Sequence, residues 1–330
     1  MTVLLQISDP HFGTERPEVV DALERFVHEL RPGVLLLSGD ITQRATAAQF
    51  AAARAFVDRL AVPTALAIPG NHDIPLFNVM GRLFSPYAHR ARAFGNALEP
   101  EYENNDVLVL AVNATRWYRH ADGEISAAQA KRVAHRVAAA RPGLWRIIVV
   151  HQPIAVTREQ DRHNRLHDHE AAARRWAAAG ADMVVGGHIH LPFVLPLRER
   201  WPNLPRAVWA VQAGTAVSRR VAPTWPTRSM CSGLAPIWPR AMRVDVQRSG
   251  VARLSAGIMA QQHNASNGCR CMKCGVSASR ERPWHCRLYW RAAGHCGGMR
   301  RRSRWHCRCC RRRDPSCSSQ PSASPAGQDH

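Results

Sequence analysis

Five short groups of metal-binding residue types punctuate the first 190 positions of this chain. They are Asp9-Pro10-His11, Gly39-Asp40, Gly70-Asn71-His72-Asp73, His151 and Gly187-His188-Ile189-His190. Alone, each has an ordinary reading. Asp9 or Asp40 can be a turn residue, Gly70-Asn71 a turn dipeptide, and His151 a hydrogen-bonded core histidine. As a set they supply carboxylate, amide and imidazole ligands, a mixture that suits Fe, Mn or Zn. The Asp-x-His and His-x-His spacings put both side chains on one side of an extended segment, because strand side chains repeat every two residues. Asp40 is the natural bridge between two ions, since one carboxylate can offer an oxygen to each. Two ions ~3.5–4 Å apart can bind and deprotonate a water, then stabilise both the attacking and leaving oxygens of an in-line displacement.

Such a site needs strands to deliver its ligands. Short apolar runs of strand length occur at Val3–Ile7, Val34–Leu37, Thr64–Ile68, Val107–Val112, Ile147–Val150, Met183–Val185 and Ala207–Val211. Each is rich in Val, Ile, Leu or Ala and bounded by turn-forming residues. Between them the spacing predicts helices over Pro17–Leu30, Thr46–Leu60, Ser126–Ala140 and Glu170–Ala179. Pro17 suits a first turn, Ser126 an N-cap and Gly180 a helix end. Continuous apolar strands alternating with amphipathic helices predict an α/β protein with buried sheets. Asp9, Asp40, Asn71, His151 and His188 each follow one of the predicted strands, and ligands of open α/β sheets gather at the strands' carboxyl ends.

The order D-x-H, G-D, G-N-H-D, H, G-H-x-H resembles the calcineurin-like metallophosphoesterases, and within them the bacterial class III cyclic-nucleotide phosphodiesterases. The resemblance covers roughly residues 1–220. It implies a four-layer α/β/β/α sandwich and a dinuclear centre that hydrolyses a phosphodiester through a metal-bound hydroxide. It assigns Asp9, His11, Asp40 and His190 to one ion, and Asp40, Asn71, His151 and His188 to the other. His72 is then catalytic rather than a ligand, assisting the leaving oxygen as a histidine can, with Asp73 orienting it. Less specific are Arg116, beside Trp117 and Tyr118 after a strand, and Arg162 and His163 in a polar loop after His151. These are candidates for substrate contact, the arginines through phosphate. For Trp117 and Tyr118, packing beneath a loop is the expectation.

The chain of 330 residues carries 45 Lys+Arg against 25 Asp+Glu, for a net charge of +20. That excess suggests nucleic acid at first, but residues 1–220 hold 26 basic against 21 acidic side chains. The remaining excess, and all ten cysteines (Cys231 to Cys317), lie in the last third. A cysteine-free catalytic region and an N-terminus without a signal-peptide pattern suggest a cytoplasmic protein. No apolar run approaches the ~20 residues of a membrane span.

Domain boundaries are therefore expected at 1–220, the catalytic domain, and 221–330, an Arg/Cys-rich tail. Strand–helix alternation stops near Val221. The tail reads either as a disordered basic segment or as the out-of-frame translation of a GC-rich gene, since Arg outnumbers Lys 43 to 2 in the chain. Cys269-x-Cys271-x2-Cys274 and the nearby His-Cys pairs lack the regular spacing of a zinc module. The expected partner is a small phosphodiester. Alternatives are a nuclease using the tail as a DNA-binding arm, and a non-catalytic nucleic-acid-binding protein.

Overall fold

Side-chain alternation within the strands decides the layering of this protein, seen here in a computed structural model. The structure describes residues 2–119 and 121–220, together with the backbone of 241–246, 251–257, 273–279 and 285–289. The elements run β1 (Thr2–Ile7), α1 (Pro17–Leu30), β2 (Val34–Ser38), α2 (Ala47–Leu60), β3 (Thr64–Ile68), α3 (Val79–Phe84) and α4 (Ala88–Phe94). They continue with β4 (Glu101–Glu103), β5 (Val107–Ala111), α5 (Ala127–Ala138), β6 (Trp145–Val149), α6 (His169–Ala179), β7 (Met183–Gly186), β8 (Phe193–Pro196) and β9 (Trp209–Gln212). Four further strands follow: β10 (Ala241–Val246), β11 (Val251–Gly257), β12 (Lys273–Ser279) and β13 (His285–Tyr289).

Among the described residues the strands form two sheets, ordered β13-β12-β11-β10-β1-β2-β3 and β4-β5-β6-β7-β9-β8. β1, β2 and β3 are parallel, as are β5, β6, β7 and β9. Leu5, Ile7, Leu35 and Leu37 face α1 and α2, packing on Val20, Leu23, Phe50 and Phe56. Leu4, Val34, Leu36 and Ile68 point the other way and meet Val109, Ile147, Val149 and Val185 of the second sheet. The outer face of that sheet, through Leu108, Leu110, Ile148 and Val184, packs on Val133 of α5 and Trp176 of α6. The layers are thus α/β/β/α, as expected. Strands covered on both faces read as unbroken apolar runs, and full burial of each such Leu or Ile contributes about 1.5–3 kcal/mol.

Local chemistry sets the helix ends. α1 opens on Pro17, whose missing N–H costs nothing in a first turn. Thr46 caps α2 by accepting from the Gln49 amide, so the helix begins one residue later than the spacing suggests. Ser126 and Gln129 form a reciprocal capping box on α5, and α6 ends at left-handed Gly180.

Two regions depart from the sequence reading. The short edge strands β4 and β8 and the helices α3 and α4 carry no long periodic pattern and were not expected. More notably, β10 pairs antiparallel with β1, and β11, β12 and β13 add outward from it. Part of 221–330 is therefore regular backbone, where irregular chain was expected. The sequence Ala241-Met242-Arg243-Val244-Asp245-Val246 does alternate with period two. The proposed cysteine and His-Cys groups lie outside the residues whose side chains are described. Among the described residues, no helix is long and apolar enough to cross a membrane.

Candidate metal centre

The carboxyl ends of β1, β2, β3, β6 and β7 converge on one rim, and the residues just past them are the five sequence groups. Asp9, His11, Asp40, Asn71 and His151 are all buried. Three clusters have ligand atoms close enough to hold a metal ion: Asp9, His11 and His190; His11, Asp40 and His72; and Asp40, His151 and His188. Asp40 and His11 each belong to two of them.

The backbone bends sharply to achieve this. Asp9 (φ 49°), His11 (φ 46°), Asp40 (φ 47°), His188 (φ 72°) and His190 (φ 54°) all occupy the left-handed region. Side chains with a Cβ rarely adopt it, at about 1 kcal/mol or more each. Close approach also explains two glycines. A Cβ on Gly187 would overlap Ser8 Oγ and the Asp9 carboxylate, and one on Gly70 would overlap Asp40.

Each candidate ligand is held from behind. Asp9 accepts from Ser8 Oγ at 2.5 Å and from the His188 amide at 3.0 Å, while its carbonyl accepts from Thr215 Oγ1 at 2.7 Å. Asp40 Oδ1 accepts from the His72 amide at 2.8 Å. His151 donates from Nδ1 to the Ser38 carbonyl at 2.9 Å. His190 donates from Nδ1 to the Arg220 carbonyl at 2.5 Å. Those bonds set the neutral tautomer, leaving each Nε2 with a lone pair.

The remaining contacts show a deficit of positive charge. His151 Nε2 faces Asp40 Oδ1 and Asn71 Oδ1, both at 3.2 Å, a convergence that needs a proton or a cation between the three atoms. His190 Nε2 faces His11 Nε2 at 3.1 Å and Asp9 Oδ1 at 3.5 Å. Nδ1 of His11 and of His188 are buried without a hydrogen-bond partner, an arrangement that costs free energy unless something binds. The residues present therefore fit metal cations.

Ionisation follows the same logic. Burial opposes protonation of His151, but Asp40 outweighs it and pushes the pKa up to about 9. Burial likewise opposes charge on His190, yet Asp9 raises its pKa. Here a proton does the work of a cation. By contrast burial holds His11 down to about 4 and His188 down to about 3, ready to give a lone pair. Burial also opposes charge on Asp9 and Asp40. The neighbouring histidines prevail, bringing Asp9 to about 2 and Asp40 well below the usual carboxylate range.

His72 donates from Nδ1 to the Gln43 carbonyl at 3.0 Å, with Nε2 turned to the mouth of the site. Asp73 does not do the orienting expected of it. Its carboxylate accepts from the amides of Gly70, Ile41 and Thr42 and from Thr42 Oγ1, at 2.8–3.0 Å. It ties the β2 and β3 loops together, and Gln43 holds His72.

The substrate candidates are placed elsewhere. Arg116 donates to the Asn113 and Thr115 carbonyls and to Gln129, pinning the loop before α5. Arg162 pairs with Glu159 at 2.8 Å on an exposed turn that also carries His163, and neither touches the cluster. Trp117 and Tyr118 are exposed rather than packed beneath a loop. Gln43 and Arg220 are the site residues the sequence did not announce.

Fold and site together are an α/β/β/α sandwich carrying clustered Asp and His side chains that fit metal ions at one rim. The chain matches the calcineurin-like phosphoesterase family over residues 2–192 and belongs to it. No curated protein matches it in sequence. Among solved structures it is similar to the purple acid phosphatase PPD1 of yellow lupin (Lupinus luteus) seeds, at 11% identity and a TM-score of 0.62 over 84% of this chain and 54% of that one. A dimetal phosphatase from Danio rerio is also similar, at 12% identity and a TM-score of 0.52 over 77% of this chain and 95% of that one. The chain thus spans about half the length of the lupin enzyme. At such identities the likeness is one of fold.

Proposed function

We propose that this protein is a dinuclear metal-dependent phosphoesterase that hydrolyses a phosphodiester, a cyclic nucleotide or a similarly small diester. The observation that carries the metal-dependent part is the buried convergence of His151 Nε2 with the oxygens of Asp40 and Asn71 at 3.2 Å, within one of three clusters whose ligand atoms could hold an ion. In this assignment Asp9, His11, Asp40 and His190 hold one ion. Asp40, Asn71, His151 and His188 hold the other. When bound, the ions supply Lewis acidity that activates water and neutralises charge developing on the phosphoryl oxygens.

The chain's own residues do the rest. His72, fixed through Nδ1 by the Gln43 carbonyl, presents Nε2 to the site. Protonated there, it can give its proton to the leaving oxygen. Asp73 acts at one remove, by holding the loop that carries Asn71 and His72. The preference for a diester rests on the motif order shared with the cyclic-nucleotide phosphodiesterases.

The test is metal-reconstituted protein assayed side by side on bis-p-nitrophenyl phosphate, p-nitrophenyl phosphate, cyclic AMP and DNA. Faster diester than monoester turnover supports the reading. Turnover of the monoester alone removes the diester preference, and degradation of DNA alone favours the nuclease alternative. No turnover with Fe, Mn or Zn overturns the enzyme assignment.

A further inference from the structure

After β9 the chain returns alongside the end of β1 and is sewn to the loop that follows it. The Ala216 amide donates to the Ser8 carbonyl at 2.9 Å, and Arg16 and Arg219 exchange backbone bonds with Val217 and Thr14 at 3.0 and 3.1 Å. Ser218 Oγ lies 2.9 Å from Thr14 Oγ1, and Ala216, Val217 and Ser218 are fully buried. This strap delivers Arg220 to the mouth of the metal centre. Its carbonyl accepts from His190, as described, and its amide donates to Ser218 Oγ at 3.0 Å. Its guanidinium donates to His72 Nε2 at 3.0 Å and to Gln43 Oε1 at 3.3 Å.

Neither of those acceptors is a carboxylate. Arg16, Arg54, Arg132, Arg158 and Arg206 each pair with a carboxylate. Among the described residues Arg220 has no such partner. A guanidinium beside a cation site is repelled by the cations unless an anion lies between them. Its contact with His72 also occupies the nitrogen that the proposed chemistry needs free.

We propose that Arg220 is a substrate-binding residue that grips the phosphoryl group. In the free protein it rests on His72 and Gln43. In the complex it exchanges these for two non-bridging oxygens of the phosphoester, the fork geometry that guanidinium matches. The exchange releases His72 Nε2 to face the leaving oxygen. This rests on the phosphoesterase reading and adds its anion anchor.

Arg220→Ala and Arg220→Lys separate the side chain from the backbone carbonyl that holds His190. Three quantities are measured on reconstituted protein: metal content by mass spectrometry, binding of radiolabelled inorganic phosphate by equilibrium dialysis, and KM with kcat. The expected result is unchanged metal content, with phosphate affinity falling about 10- to 100-fold in Arg220→Ala and KM rising in step. Arg220→Lys should recover part of both. Phosphate affinity and KM within twofold of the parent overturn the proposal. So does loss of metal from both variants, which would mean that the side chain acts through His190. Absence of hydrolysis in the parent itself counts against the phosphoesterase reading, while the dialysis still decides the role of Arg220.

Discussion

The two halves of the sandwich bring different chemistry to the same rim. The loops after β1, β2 and β3 supply every carboxylate of the site, Asp9, Asp40 and Asp73, together with His11, Asn71 and His72. The loops after β6 and β7 supply imidazoles only: His151, His188 and His190. Neither half alone is a balanced ligand set. Asp9 and Asp40 oppose each other's ionisation in the first half, and the histidines of the second half relieve them. The joint between the halves is an apolar layer to which specific polar bonds are added. Gln6 donates to the Gly186 carbonyl at 2.8 Å, and the Ser38 carbonyl receives His151. A metal centre of this kind reports that the two sheets have docked in register.

The largest effect should come from Asp40, the carboxylate common to both halves. Asp40→Ala is expected to lose both ions and, with them, more than about 10³-fold in kcat/KM. Metal analysis together with kinetics tests this, and full activity would refute the bridging assignment. Next comes His72, which belongs to the first half without being assigned to an ion. His72→Ala should retain metal while kcat falls about 10²- to 10⁴-fold; parallel loss of metal would move His72 into the ligand set.

The second half can be probed through pH. His151 has a raised folded value, so in metal-free protein its contribution to stability is full below about 6.5, the ordinary histidine value. It is lost as pH rises through about 9. Metal-free protein should therefore lose melting temperature between these limits. Metal-loaded protein should lose much less, because the ion replaces the proton. Parallel melting curves across that window would argue against His151 as the ligand that balances Asp40. His11 and His188 are held down by burial, so they erode stability only as pH falls below about 6.5 through about 4 and 3. The smallest effect is expected outside both halves. Phe84 on α3 is 69% exposed, and Phe84→Ser should change urea-unfolding stability by less than about 0.5 kcal/mol. A larger change would show that this helix supports the core.

Much of this was legible because each candidate ligand follows a buried strand, and buried strands announce themselves as apolar runs with a Gly, Asp or His within the next two residues. Asp73 was misplaced because its partners are backbone amides of the Ile41–Thr42 loop, which composition does not display. Gln43 was invisible because it acts through its carbonyl. Arg220 lies thirty positions after His190 in the chain, and only the return of the strap beneath Ser8 brings it home. Arg162 and His163 looked suitable by residue type, but an exposed turn carries them away from the cluster.

The region 221–330 divides differently. β10 to β13 are described as strands, while the strand–helix alternation of the sequence stops near Val221 and all ten cysteines lie beyond it. We propose that the catalytic domain ends near residue 220 and that the frame changes just beyond it. Resequencing the gene and weighing the native protein decides the matter, and an intact frame of matching mass sinks the idea.

The left-handed backbone at Asp9, His11, Asp40, His188 and His190 has a conformational corollary. Glycine adopts this conformation at least cost, and aspartate and histidine more readily than most side chains, so each position trades some backbone strain for a side chain that can reach the rim. If the rim had no metal to hold, glycine at these positions would relieve that strain without touching the core.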